Sequence, residues 1–307
     1  MRIAILGATS MLAADFVAYS LGKQAPYRFA LFARDPDQIR AALGRRGITA
    51  FPECGRLAEF VDGEWDAVVN FVGVGDPARA AAMGADILRI TREWDDRVLD
   101  YLQSHRNCRY IFFSSGAAFG MSASQPSASQ SSACFNINDM TVSAFYGISK
   151  FYSEAVHRAN PDMSIIDIRI FNYISQYADL NHRFLINEVI AAAKNDTTIS
   201  VDANDMWRDY LGQEDLSTLV AICLAAPSGY NGAIDAYSLA PISKLQILQL
   251  FEEQFGLKYR IDGGGINATG SKSNYYSTNK IAQSLGYYPH FTSEQTVQNV
   301  AKKIISL

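Results

Sequence analysis

Tyr146 and Lys150 stand four residues apart in Phe145-Tyr146-Gly147-Ile148-Ser149-Lys150. On a helix, residues at that spacing project side by side from one face. Pro161 marks the far end of such a helix. A phenol beside a fixed ammonium is a tunable acid, because the positive charge favours the phenolate and lowers its pKa towards neutrality. A tyrosine so placed can hand a proton to a carbonyl oxygen or take one from an alcohol. Both residue types are common, and the same spacing arises on many helices with no chemistry attached. The elements around the pair have to decide between the two readings.

The N-terminus supplies the first of them. Arg2-Ile3-Ala4-Ile5-Leu6 reads as an apolar strand, followed by the turn Gly7-Ala8-Thr9-Ser10-Met11-Leu12-Ala13 and an amphipathic helix ending near Gly22. Strand, glycine turn and helix open a dinucleotide-binding βαβ unit. The helix N-terminus offers unpaired N–H groups and a partial positive charge to a pyrophosphate. Gly7, Thr9, Ser10 and Met11 are therefore candidate cofactor contacts, against the plainer reading of a strand-turn-helix that binds no nucleotide. The second strand, Phe29-Ala30-Leu31-Phe32, runs into Ala33-Arg34-Asp35-Pro36. A site for NAD(H) usually has a carboxylate here to hold the ribose 2′-hydroxyl. Ala33 occupies that place and Arg34 follows it, a guanidinium suited to a 2′-phosphate. The expectation is NADP(H) in preference to NAD(H). Arg34 as a solvated loop residue, or Asp35 as the ribose ligand in a register shifted by two, are the alternatives.

Ala67-Val68-Val69-Asn70-Phe71-Val72-Gly73 is too apolar for a one-sided sheet and reads as a buried parallel strand. Its end, with Asn70 and Gly73, is a place for a nicotinamide ring to lie against backbone. A helical stretch follows from about Ala81 to His105, then the strand Tyr110-Ile111-Phe112-Phe113, ending in Ser114-Ser115-Gly116-Ala117-Ala118-Phe119-Gly120. Hydroxyls at the carboxyl end of a buried strand sit where open α/β sheets bind ligands. Residues 121–143 are rich in Ser, Ala and Asn and read as a long loop of the kind that lines binding sites.

The bulk properties agree with an enzyme of this type. A chain of 307 residues, 49% hydrophobic and 19% charged, can bury a large core. The net charge of −4 and the lack of a Lys/Arg run speak against a nucleic-acid surface. No apolar run reaches the length of a membrane span, and the N-terminus lacks the layout of a signal peptide. Cys54, Cys108, Cys134 and Cys223 form no CxxC pair, so neither a metal site nor a disulfide framework is expected. Incidental thiols in a reducing cytoplasm are the reading adopted.

In order and spacing, Gly7 with its helix, the Ser114–Gly120 segment and Tyr146-Gly147-Ile148-Ser149-Lys150 together resemble the extended short-chain dehydrogenase/reductase family. These are the NAD(P)-dependent nucleotide-sugar epimerases, dehydratases and reductases. Further along, Ile168-Arg169-Ile170-Phe171-Asn172, Trp207-Arg208-Asp209-Tyr210-Leu211, Pro241-Ile242-Ser243-Lys244 and Ser277-Thr278-Asn279-Lys280 resemble later segments of the same family. The family's pattern would place glycines at 7, 10 and 13, whereas Ser10 and Ala13 stand here. Ser10 departs most, since a side chain crowds the backbone approach to phosphate, although its hydroxyl could donate to a phosphate oxygen. The resemblance implies an α/β fold, a doubly wound parallel (Rossmann) sheet in strand order 3-2-1-4-5-6 or an extended version, with a smaller C-terminal substrate-binding lobe. Domain bounds of 1–172 plus 204–229, and 173–203 plus 230–307, follow from it. It also implies a homodimer through the helices ending near His105 and Asn160, with Phe151 and Tyr152 as contacts. By the same resemblance Ser115 hydrogen-bonds the reacting oxygen, Tyr146 exchanges its proton, and Lys150 holds the nicotinamide ribose. Asn172, Arg208 and, more weakly, Arg183 would face a nucleotide-sugar substrate.

Two departures narrow the reaction. The family's dehydratases carry an Asp-Glu pair after the serine, and its epimerase-reductases carry a Cys there. Gly116 and Ala117 occupy those positions and cannot titrate. Reduction of a dTDP- or GDP-linked 4-keto-6-deoxy sugar by NADPH is the leading expectation. A 4-epimerase of the UDP-galactose type with bound NAD is the alternative, and a non-catalytic NADP sensor a second.

Overall fold

The computed structural model describes residues 1–73, 80, 82–120, 125–182, 184–262 and 273–306, so the candidate Arg183 lies outside the described residues. The chain opens with β1 (Arg2–Leu6), α1 (Met11–Gly22), β2 (Arg28–Ala33), α2 (Pro36–Gly44), β3 (Glu53–Arg56) and β4 (Ala67–Asn70). It continues with α3 (Asp86–Ser104), β5 (Arg109–Ser115), α4 (Val142–Arg158) and β6 (Ile165–Ile170). Next come β7 (Asn172–Tyr173), α5 (Leu185–Asn195), β8 (Thr198–Val201), β9 (Trp207–Arg208), β10 (Tyr210–Leu211), α6 (Gln213–Ala225) and β11 (Gly232–Asp235). The C-terminal part holds β12 (Ile242–Ser243), α7 (Lys244–Phe255), β13 (Lys258–Ile261), β14 (Asn274–Tyr275) and α8 (Ser293–Ile305).

Seven strands form one parallel sheet in the order β3-β2-β1-β4-β5-β6-β11. Its central strands are buried on both faces, as every residue of β4 and β5 is. Helices cover those faces, which is why these strands read as unbroken apolar runs and not as alternating ones. The order reverses between β1 and β4, where Leu6 lies opposite Asn70. At such a switch point the connections leave in opposite directions and open a crevice at the strand ends.

The last strand moves a boundary. β11 pairs with β6, Ile234 beside Ile168, so the sheet domain extends past residue 230 and the expected division there is corrected. Tyr237 and Tyr287 also belong to its core. A second core gathers Val189 and Ile190 of α5, Ile247 and Phe251 of α7, and Val297 and Ala301 of α8. α7 and α8 both begin with a capping box, Ser243 with Gln246 and Thr292 with Gln295, satisfying backbone donors the helices leave open. Among the described residues no helix is long and apolar enough to cross a membrane.

Beneath the sheet's carboxyl end lies a buried ionic chain. His157 of α4 is wholly buried between two carboxylates, Nδ1 at 2.6 Å from Asp167 and Nε2 at 2.9 Å from Asp95. The Tyr110 hydroxyl donates to Asp95 at 2.7 Å and accepts from the Asn70 amide at 2.8 Å. Burial alone would lower the His157 pKa; Asp167 and Asp95 outweigh it and raise it from 6.5 to about 9. A cation flanked by two anions ties α3, α4 and β6 together. Its loss would leave the buried Asp95 carboxylate without a cation and Asp167 with Arg158 as its remaining one, at 2.9 Å, a penalty of about 3–5 kcal/mol in comparable sites. Because the folded pKa is raised, the His157 contribution is complete below pH 6.5 and is lost as pH climbs through about 9. Urea unfolding should therefore show wild-type stability declining across that window. His157→Phe should be less stable by about 3–5 kcal/mol at neutral pH and should lack most of the decline; an equal decline in the variant would assign it to other groups.

Candidate active site

Glycine decides how closely the pieces of the site approach. At Gly147, the second residue of the Tyr-Gly pair, an added Cβ would lie 2.4 Å from the carbonyl oxygen of Ala117. Without it, α4 presses directly on the backbone of the short helical turn that leaves β5. Gly116 is likewise covered, its missing Cβ replaced by the Phe171 ring at 2.4 Å. There is no room at 116 for an acid or a thiol, in keeping with the residue type.

That contact brings the expected trio together. Ser115 ends β5 and its hydroxyl accepts from the Ala117 amide at 3.1 Å. Tyr146 lies close enough to Ser115 for the serine side chain to favour ionisation of its phenol. Lys150, one helical turn on, is buried and donates to the Phe113 carbonyl at 2.7 Å. Its ammonium lies 4.3 Å from the Phe112 ring centroid and 5.9 Å from that of Tyr146.

The electrostatics differ from the sequence expectation. Burial raises the Tyr146 pKa above its ordinary value, and the Ser115 hydrogen bond offsets this only in part. The ammonium that should have lowered it is engaged with a backbone carbonyl and a phenylalanine face. Burial also pulls Lys150 down to about 8, against the opposing charges of Asp95, Glu154 and Asp167. The protein alone thus holds Tyr146 as a protonated acid at neutral pH.

The cofactor candidates divide. Gly7 has φ +71°, and a Cβ there would strike the backbone of Phe71 and Val72 at 2.9 Å, so the turn tolerates glycine alone. Ser10 is the N-cap of α1, its oxygen accepting from the Ala13 amide at 3.2 Å, which leaves the hydroxyl proton for another acceptor. Thr9 is exposed and Met11 half-buried at the same helix start. Arg34 follows the last residue of β2, exposed and without a hydrogen-bond partner among the described residues. Asp35 is occupied as the N-cap of α2, accepting from Asp37. Gly73 lies beside Lys150, whose Nζ is 3.4 Å from the position of an added Cβ. Asn70 is a correction. Its amide donates to Tyr110, its oxygen accepts from Val72, and it is buried, so its side chain is engaged inside the protein and shapes the strand end. The remaining set fits a nicotinamide dinucleotide: a helix N-terminus, a glycine cradle, and an ammonium with two protons to spare after Phe113.

On the substrate side, the Asn172 amide reaches the carbonyls of Asp209 at 3.2 Å and Tyr275 at 3.5 Å, bracing the strands behind the site. Arg208 is buried. Its Nη1 donates to the Trp207 carbonyl, and Nη2 has no hydrogen-bond partner among the described residues. A buried guanidinium with an unmet donor is suited to an anionic ligand. Sequence reasoning missed Tyr275, whose hydroxyl meets that of Ser115 at 3.2 Å. Its only trace in the sequence is the Tyr275-Tyr276 doublet before Ser277-Thr278-Asn279-Lys280.

No curated protein matches the chain by sequence. Among solved structures it resembles the UDP-glucose 4-epimerase of Bifidobacterium longum, in complex with NAD+ and UDP, at TM-score 0.75 and 17% identity, over 99% of this chain and 97% of that one. It also resembles the UDP-glucose 4-epimerase of Thermotoga maritima, with UDP-glucose, at TM-score 0.80 and 14% identity, over 100% and 99% of the two chains. The UDP-glucose 4-epimerase of Stenotrophomonas maltophila, with bound NAD and formylated UDP-arabinopyranose, gives TM-score 0.81 and 16% identity over 100% and 98%. At such identities the likeness is one of fold. The family is given by sequence: residues 3–240 match the model of the NAD dependent epimerase/dehydratase family, and the chain belongs to it, an enzyme of the extended short-chain dehydrogenase/reductase type.

Proposed function

We propose that the protein reduces a nucleotide-linked 4-keto-6-deoxy sugar, using NADPH. The observation that carries this reading is the convergence of Ser115 and Tyr146 at the end of β5, with Lys150 buried beneath them. In it, Ser115 holds the carbonyl oxygen and Tyr146 gives it a proton. A phenol held in its protonated form suits donation to a carbonyl better than removal of a proton from an alcohol. Lys150 would hold the nicotinamide ribose with its remaining protons, and the Gly7 turn and the start of α1 would hold the pyrophosphate. When bound, the nicotinamide nucleotide supplies the hydride. Arg208, with its unmet donor, is the partner for the sugar's diphosphate. Phe151 and Tyr152, 46% and 44% exposed on α4, are the contacts of a homodimer in this reading.

Two further features support reduction by NADPH. The glycine packed under Phe171 at position 116 leaves no group to protonate a leaving hydroxyl or to epimerise a neighbouring carbon. The end of β2 offers Arg34 directly, while Asp35 has one of its oxygens engaged in capping α2. The second reading, an NAD-dependent 4-epimerase, is favoured by the structural likeness to UDP-glucose 4-epimerases.

Purified protein offered NADPH with dTDP- or GDP-4-keto-6-deoxyhexose should lose absorbance at 340 nm. Release of tightly held NAD on denaturation, with conversion of UDP-glucose to UDP-galactose, would decide for the epimerase. Tyr146→Phe should lower kcat by about 10²–10⁴-fold, the usual contribution of a general acid, with the NADPH dissociation constant nearly unchanged. Retained turnover would remove the mechanism. Arg34→Ala should weaken NADPH by about 10- to 100-fold, the worth of a charge-assisted hydrogen bond, and NADH far less. Equal effects on both would mean that Arg34 does not meet a 2′-phosphate.

A further inference from the structure

The C-terminal part of the chain sends into the site one side chain that neither the catalytic trio nor the cofactor cradle uses. The Tyr275 hydroxyl lies 3.2 Å from the Ser115 hydroxyl, where the reacting oxygen of a substrate would be held. Its ring packs against Phe171 at a centroid distance of 5.2 Å, with the Arg208 guanidinium 6.0 Å from the ring centroid. Tyr146 is close enough to Tyr275 to be felt in its ionisation. One serine is therefore flanked by two phenols, one from α4 and one from β14.

The backbone that carries Tyr275 is fastened on both sides. Asn274 and Tyr275 pair with Trp207 and Arg208 of β9. Ser127 donates its amide to the Tyr276 carbonyl at 2.9 Å and accepts from the Thr278 amide at 2.7 Å. The Ser277 hydroxyl donates to Asp235 at 2.6 Å, which ties the segment to the sheet domain. With the main chain held at these points, it is the Tyr275 side chain that would have to turn for the phenol to leave Ser115.

Resting on the reading proposed above, we infer that Tyr275 is a stand-in for the substrate's reacting oxygen. Its hydroxyl holds Ser115 in the orientation that the reaction needs, and a sugar nucleotide has to displace it to reach Ser115 and Tyr146. The placement favours this role over that of a second proton donor. Tyr275 meets the serine at the position the substrate requires, and two groups cannot share it. The ring beside Arg208 likewise lies where a sugar would extend from a diphosphate held there.

The test uses full-length protein labelled with 3-fluorotyrosine, the Tyr275 resonance being assigned by its loss in Tyr275→Phe. In the free protein, Ser115→Ala should shift that resonance. If it does not, the hydroxyl contact is absent in solution and the inference is overturned, whatever reaction the enzyme performs. Saturating dTDP-glucose or GDP-mannose should move the wild-type resonance towards that of a solvated tyrosine. A bound nucleotide sugar that leaves it unmoved overturns the inference as well. Failure of both probes to bind counts against the proposed function, and the Ser115→Ala comparison still judges the contact. In turnover, Tyr275→Phe should raise kcat/KM about five-fold, the worth of a typical hydrogen bond, with the change falling on KM more than on kcat. A drop of kcat by ten-fold or more at constant KM would make Tyr275 a proton donor and sink the stand-in role. No change in either constant would make it a packing residue and sink that role equally.

Discussion

The approach of α4 to the turn after β5 is the constraint on which the site depends. Ser115 and Tyr146 are far apart in sequence, and nothing local brings them together. The Gly147 backbone lies against Ala117 with no side chain between them. Any Cβ would push the helix outward and carry the phenol off the serine. The same closeness explains the ionisation of the site. Pressing a helix onto backbone excludes water, and the phenol and the ammonium are both destabilised in their charged forms by that exclusion.

The helix is held down by charge as well as by packing. His157 lies two turns beyond Lys150 and joins α4 to Asp95 of α3 and Asp167 of β6. Glu154, between them on the same helix, accepts from Ser114 at 2.5 Å and is paired with Arg169, which also meets Asp235. Buried pairs of this kind cost desolvation and often add little net stability, but they are specific about position. Here they set the height and rotation of the helix that carries Tyr146 and Lys150. Through Tyr110 and Asn70 the same chain reaches the end of β4, where Asn70 accepts from the Val72 amide next to Gly73. The cofactor cradle and the catalytic helix thus share one buried support.

Sequence and structure agree on the sheet because that information is carried locally. Runs such as Ile3-Ala4-Ile5-Leu6 and Val68-Val69 admit burial on both faces and little else, and right-handed crossovers leave few ways to order the strands. Gly7, Ser115, Tyr146 and Lys150 were legible for a related reason: each sits at an element end or on a helix face that its own neighbours define. The boundary near residue 230 was misplaced because Gly232-Ala233-Ile234-Asp235 is short, and only its pairing with β6 shows that it is a strand of the main sheet.

From the chain alone come the parallel sheet, the dinucleotide-type opening, the lack of an acid or thiol at 116 and the arginine after β2, since each depends on residue type and near neighbours. The tertiary structure decided the ionisation of Tyr146, the internal use of Asn70 and the entry of Tyr275. Proton affinity depends on what surrounds a group in three dimensions, and burial here outweighs the neighbouring ammonium. Asn70 is satisfied by Tyr110, forty positions away, and Tyr275 meets Ser115 across 160. Contacts at such separations leave no periodicity or spacing behind them, so only the folded chain can reveal them.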